Sequence, residues 1–196
     1  MRRAAALMVL VGAALVVACK TVPQPTPTSE SWETRRAALQ ARDQFEIKGR
    51  VAVLAGQEGF TASIRWVQNG AQSQISFQGP LGVGGVQVTT DGAALTVINA
   101  HGDRLDNEAA HAELKARLGF DAPLQSLRYW TLGVPDPALP AEEVVDVERR
   151  LTGLTQNGWQ IEYADYVVVK GLWLPGRMTL HSADVRVRLI VDHWDS

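Results

Sequence analysis

The chain is 196 residues long, 46% hydrophobic and 20% charged, with a formal net charge of −2. That length suits one domain with a sizeable core. The weak acidic balance leaves no electrostatic footprint for nucleic acid and no pull toward an anionic membrane, and a single cysteine excludes an internal disulfide.

Met1-Arg2-Arg3 precedes an apolar run from Ala4 to Ala18, the positive head and greasy segment of a secretory signal. At 15 residues the run is shorter than the ~20 a spanning helix needs, so residues 1–18 read as a signal peptide to be removed. The run ends Val16-Val17-Ala18-Cys19, which resembles the lipobox cut by lipoprotein signal peptidase, with little bulk before the thiol that receives diacylglycerol. Cys19 is thus expected to carry covalent lipid; the alternative is an ordinary residue within a signal. Lys20 stands where an Asp retains lipoproteins in the inner membrane of many Gram-negative bacteria. The expected location is therefore the inner leaflet of the outer membrane, facing the periplasm. Residues 19–30, with Pro23, Pro25 and Pro27 among Thr and Gln, read as an extended, solvated tether with a reach of roughly 30 to 40 Å. Loss of Arg2 and Arg3 with the signal leaves 17 basic against 21 acidic side chains, a net of −4.

Residues 31–196 carry the folded part. Ser31 to Arg42 is rich in helix formers, with Ser31 as N-cap and Trp32 and Leu39 on one face. From Phe45 the pattern changes to short, alternating β-branched runs. Strands are expected over Phe45 to Leu54, Thr61 to Gln68, Gln72 to Gln78, Val86 to Thr90 and Ala94 to Asn99. Asn69-Gly70 and Asp91-Gly92 mark hairpin turns among them. Asn107 to Leu118 is Ala- and Glu-rich, places Ala110, Leu114 and Leu118 on one side and stops at Gly119, so it reads as a helix. A second short helix follows from Pro123 to about Leu132. Strands resume with Arg149 to Gln156, Trp159 to Tyr166, Val167 to Lys170, Met178 to His181 and Val185 to His193. A long antiparallel series with helices inserted midway favours a strongly curved sheet or open barrel plugged on one side by the helices.

Catalytic signals are missing from this pattern. His101, His111, His181 and His193 fall in no metal-ligand spacing, and neither a Gly-x-Ser-x-Gly elbow nor a carboxylate pair in an apolar cleft motif occurs. We expect no enzyme, no metal and no cofactor beyond the lipid on Cys19. Gly79-Pro80-Leu81-Gly82-Val83-Gly84-Gly85 looks superficially like a phosphate cradle but lacks the Gly-Lys-Ser/Thr ending. A plain hairpin connection would account for it, except that Leu81 sets a large apolar side chain amid Pro and Gly.

Taken in order along the chain, these residues resemble the LolB family, which accepts lipoproteins at the outer membrane. The likeness runs through Trp32 and Leu39, Gly49-Arg50-Val51-Ala52-Val53, Trp66-Val67-Gln68 and Gly79-Pro80-Leu81-Gly82. It continues through Leu118-Gly119 and Pro123-Leu124-Gln125-Ser126-Leu127-Arg128-Tyr129-Trp130 with Gly133 and Pro135. It closes with Gln156-Asn157-Gly158-Trp159-Gln160-Ile161-Glu162-Tyr163, Leu174-Pro175 and Trp194. The resemblance implies a mainly β, single-domain, half-open antiparallel β-barrel with an α-helical lid over a hydrophobic cavity. It also implies a monomer that takes lipoprotein acyl chains from a LolA-like periplasmic carrier, and a protruding loop, here Pro80-Leu81-Gly82, whose Leu81 engages the outer membrane.

Such a device has an energetic reason. Exposing three acyl chains of roughly 15 methylenes to water costs on the order of 35 kcal/mol, at about 0.8 kcal/mol per methylene. A cavity turns delivery into exchange between apolar environments, with no nucleotide to hydrolyse. The inward members of strands and lid give the candidate lining: Ile64, Trp66, Ile75, Phe77, Leu95, Val97, Leu127, Trp130, Trp159 and Ile161. The same positions would equally serve a filled core. The rival class is a structural or assembly lipoprotein that binds proteins through exposed sheet edges. A membrane-spanning β-barrel is disfavoured by the scarcity of long strands with an uninterrupted apolar face.

Overall fold

A computed structural model of the chain describes residues 31–79 and 85–195. The signal, Cys19, the tether and the loop residues Pro80, Leu81 and Gly82 lie outside the described residues.

The first helix, α1 (Trp32–Gln40), is capped by Ser31, whose hydroxyl accepts from the Thr34 amide at 3.2 Å, and it buries Leu39. It leads into five strands: β1 (Gln44–Ala55), β2 (Glu58–Asn69), β3 (Gln72–Gln78), β4 (Val86–Thr90) and β5 (Leu95–Ile98). Gly70 has φ of 60° in the turn after β2. Asp91 opens the next turn by accepting from the amides of Ala93 and Ala94 at 3.0 and 2.8 Å, and those bonds hold its carboxyl below the usual range. A short β6 (Arg104–Asp106) runs directly into α2 (Asn107–Leu118), which ends on Gly119 in the left-handed conformation, φ 81°. Helix α3 (Leu124–Thr131) follows. The second run comprises β7 (Ala141–Val145), β8 (Leu151–Gln156), β9 (Trp159–Ala164), β10 (Val167–Val169), β11 (Leu172–Leu174), β12 (Arg177–Ser182) and β13 (Val185–Asp195).

Eleven strands form one antiparallel sheet in the order β6-β5-β4-β3-β2-β1-β13-β12-β9-β8-β7. The last strand pairs with the first long one, so the two runs join at β1–β13 and leave β6 and β7 as free ends. The sheet curls without closing, giving a half-open β-barrel with α2 and α3 as its lid.

Three short strands, β6, β7 and β11, were not expected from the sequence, because none has enough alternating residues to register. The expected strand Val167 to Lys170 is observed as β10, but it leaves the main series and pairs only with β11 in a separate hairpin. The departure is local: Asp165 takes φ of 55°, and its carbonyl receives the Gly176 amide at 3.0 Å, pinching the hairpin off at its base.

Cross-strand register aligns the inner face into rows. One row runs Phe60, Val53, Val187, Leu180, Ile161, Leu154 across six neighbouring strands, and another runs Val88, Ile75, Trp66, Ile47, Trp194. The outer face alternates with charge, as in the paired hydrogen bonds Arg50–Asp192 at 3.0 and 2.9 Å and Arg65–Glu46 at 2.8 and 3.0 Å. The partner guanidinium keeps each carboxyl, Asp192 and Glu46, below its ordinary value.

Gly49 sits where the β1–β13 register shifts. A Cβ there would lie 2.1 Å from the Ile190 carbonyl oxygen, which no side chain can occupy without moving the strand. Gly49→Ala is therefore expected to lower stability by at least about 2 kcal/mol, measured by urea unfolding. Gly158→Ala, where nothing lies within 4 Å but φ is +75°, is the comparison and should cost about 1 kcal/mol. Equal losses at the two positions would show that the close approach does not matter.

Candidate functional site

Under the lid, seven adjacent strands from β4 through β1 and β13 to β9 turn apolar side chains toward α2 and α3 and leave space between them. The space measures about 730 Å³, part of it open to solvent, around an inner cavity of about 80 Å³. At 10–15 Å³ per water centre that is room for on the order of six waters. It is a narrow slot between sheet and lid.

Every lining side chain is apolar. Val51 and Val53 come from β1, Ile64 and Trp66 from β2, Ile75 and Phe77 from β3, and Val88 from β4. Trp159 comes from β9, Met178 and Leu180 from β12, and Val187 and Leu189 from β13. Leu114 and Leu118 of α2, the connecting Phe120, Ala122 and Pro123, and Leu124 and Leu127 of α3 form the roof. Phe120 tilts against Trp159 at 5.5 Å and Trp159 against Trp130 at 6.4 Å, so an aromatic chain links roof to floor. The lining bears no hydrogen-bonding side chain other than the indole N–H groups of Trp66 and Trp159, and the Trp66 indole donates to Gln68 Oε1 at 3.2 Å. Such a surface can recognise hydrocarbon and has no means of holding a charged or nucleotide ligand. Among the described residues, no cluster of His, Cys, Asp and Glu could hold a metal.

Of the ten residues proposed from alternation, Ile64, Trp66, Ile75, Phe77, Leu127 and Trp159 border the space. Leu95, Val97, Trp130 and Ile161 do not, although each is buried. Helix α2 packs directly on β5 and β6, so it fills the end of the sheet where Leu95 and Val97 lie. Trp130 turns its indole N–H to Gln156 Oε1 at 2.7 Å and belongs to the wall rather than the void. Ile161 is shut in between Leu180 and Leu154 in its row. Alternation did not single out the members from β1, β12 and β13, which share the inward phase of many core residues. No local signal separates them.

A buried polar hub fixes the lid to the sheet. Gln156, 2% exposed, accepts from Trp130 and from the Asp136 amide at 2.9 Å, and its amide donates to the carbonyls of Asp136 and Leu139 at 2.9 and 3.0 Å. Asp136 in turn accepts from the Ser126 hydroxyl of α3 at 2.8 Å. Nearby, burial pushes the phenols of Tyr163 and Tyr166 above their ordinary range; the Tyr166 hydroxyl donates to the Leu151 carbonyl at 2.7 Å. Sequence reading passed over Gln156 as a core position because a glutamine on an alternating strand reads as solvent-facing.

Fold and site together define a half-open β-barrel with an apolar cavity beneath a helical lid. Solved structures share that fold at low identity. A DUF1329 family protein from Desulfovibrio piger superposes with a TM-score of 0.59 at 9% identity, covering 86% of this chain and 92% of its own. A LolA superfamily protein from Nitrosomonas europaea gives 0.55 at 10% identity, covering 85% and 94%. The family model described as outer membrane lipoprotein LolB matches residues 43–194. The outer-membrane lipoprotein LolB of Nitrosococcus oceani is 35% identical over 191 residues, 95% of each chain, and that of Pseudomonas aeruginosa is 32% identical over 166 residues, 85% of this chain and 81% of its own. The chain belongs to the LolB family.

Proposed function

We propose that the protein is an outer-membrane receptor for lipoproteins, accepting them from a LolA-like periplasmic carrier into the cavity and releasing them into the inner leaflet without nucleotide hydrolysis. The observation that carries the reading is a wholly apolar space roofed by short helices in a chain of the LolB family. Lipid on Cys19 and the tether of residues 19–30 hold the domain, a monomer, at the periplasmic face of the membrane. Transfer proceeds because each apolar environment holds the acyl chains slightly better than the last. The sheet-edge alternative has little to work with: β6 is three residues long, and β7 is engaged by α1, whose Trp32 and Arg36 donate to Glu143 at 2.5 and 2.7 Å.

The test is a transfer assay that mixes the protein with a carrier loaded with lipoprotein and follows which of the two keeps the cargo. Cargo should move to this protein and then into liposomes; cargo remaining on the carrier would overturn the reading. Leu81, in the loop of Pro80 and Gly82, is proposed to engage the bilayer during release. Leu81→Glu is expected to leave the fold and cargo capture intact while slowing release into liposomes, and unchanged release would remove the role of the loop.

A further inference from the structure

Beside the cavity lies a second, mostly apolar space of about 860 Å³, part of it open to solvent, between the C-terminal end of α2 and strands β2, β3 and β4. Phe60, Ala62, Phe77, Val86, Leu114 and Leu118 line it, with Arg117, Thr61 and the backbone of Gly79 as its polar members. Phe77, Leu114 and Leu118 also line the first cavity, so the two spaces share these three side chains as a common wall. Phe77 lies one residue from the end of β3 and Leu118 is the last residue of α2, and both are only partly buried. Side chains so placed can turn aside without breaking a strand ladder or the body of a helix. With Phe60, they pack against the core and still leave part of their apolar surface exposed.

We propose that this groove is a second acyl-chain subsite and the way out of the cavity: a hydrocarbon chain passes between Phe77 and Leu118 and lies along Phe60, Ala62 and Val86. The proposal rests on the receptor reading above and adds a route to it. Continuity through a shared wall selects the occupant, since a chain threading from one space into the other stays in contact with hydrocarbon throughout. The polar members suit the same occupant. Arg117 is ion-paired to Glu113 at 2.5 Å, which leaves the floor to an uncharged chain and the rim to its polar end.

The experiment uses the full lipidated chain in vesicles of phosphatidylethanolamine and phosphatidylglycerol, with alkyne-tagged palmitate as probe. A photoreactive benzoylphenylalanine stands in place of Phe60, which lines only the groove, or of Leu127, which lines only the cavity; the Arg117 position serves if the Phe60 variant does not fold. Both positions should cross-link to the probe, and excess untagged palmitate should compete at both. Phe77→Ala combined with Leu118→Ala should speed departure of palmitate into acceptor vesicles by about threefold or more. Cross-linking at Leu127 alone, or an unchanged departure rate, overturns the groove and leaves the cavity reading standing. No cross-link at either position overturns both. A cross-link from Phe60 only to a second copy of the chain makes the groove an interface and overturns the route.

Discussion

Leu127→Glu is expected to weaken binding of a fluorescent fatty acid by about a hundredfold or more while leaving the protein folded. Leu127 projects from α3 into the roof of a space with no charged lining group, so an introduced carboxylate must either be stripped of water or hold the slot open to it. Burying an unpaired ionised carboxylate costs several kcal/mol, and a loss of about 2.7 kcal/mol is already a hundredfold in affinity. Leu127 is only partly buried, so the helix can carry the substitution when the cavity is empty. The sign of the pH dependence follows from the same cause. Desolvation raises the pKa of the new carboxyl, so lowering the pH protonates it and restores part of the affinity. Ala116→Glu, on the exposed side of α2, is the control and should bind as the parent does. Circular dichroism checks the fold in each case, and parental affinity in a folded Leu127→Glu variant would detach the cavity from ligand binding.

Gln156→Leu should be the most destabilising conservative change in the domain, lowering stability by about 3 to 5 kcal/mol in urea unfolding. A leucine fills much the same volume but removes four hydrogen bonds at once, leaving the buried Trp130 indole and Asp136 amide without acceptors and the Leu139 carbonyl without its Gln156 donor, while the Asp136 carbonyl keeps only the Leu139 amide at 3.3 Å. Each such orphan costs about 1 to 3 kcal/mol, and partial rearrangement keeps the total below their sum. Because Trp130 and Asp136 connect to α3, the loss also loosens the lid, and fatty acid should leave the variant faster than the parent. Gln160→Leu, exposed on the adjoining strand, should fall within about 0.5 kcal/mol of the parent. If the two substitutions unfold at the same urea concentration, the hub does not hold the lid.

Much of the architecture follows from patterns within reach of a few residues. Ser31 announces the first helix through a cap that needs only its own next turn. Gly119 ends the second by tolerating a conformation that side chains resist, and long alternating runs mark β1, β2 and β13. The residues carrying the family resemblance prove to be places where the fold demands one particular chemistry: Gly49 beneath a carbonyl, Gln156 at the hub, Asn157 and Gly158 with φ of 52° and 75° in the β8–β9 turn, and Trp194, whose indole donates to the Pro175 carbonyl at 3.0 Å. By contrast β7, with its sequence Ala-Glu-Glu-Val-Val, has no alternation to read. It is a strand because β8 pairs with it and α1 binds its Glu143.

By itself, then, the order of residues determined the types of the longer elements, the inward phase of each long strand and the kinship with LolB, because each is written in spacing or in one residue's conformational freedom. Only the tertiary structure decided where the interior stays empty. Ile64 and Val97 share the same alternation, yet one borders the slot and the other is fully buried at the end of the sheet on which α2 packs. Burial depends on which face a side chain takes, a local property, whereas a void depends on what arrives opposite it from far along the chain.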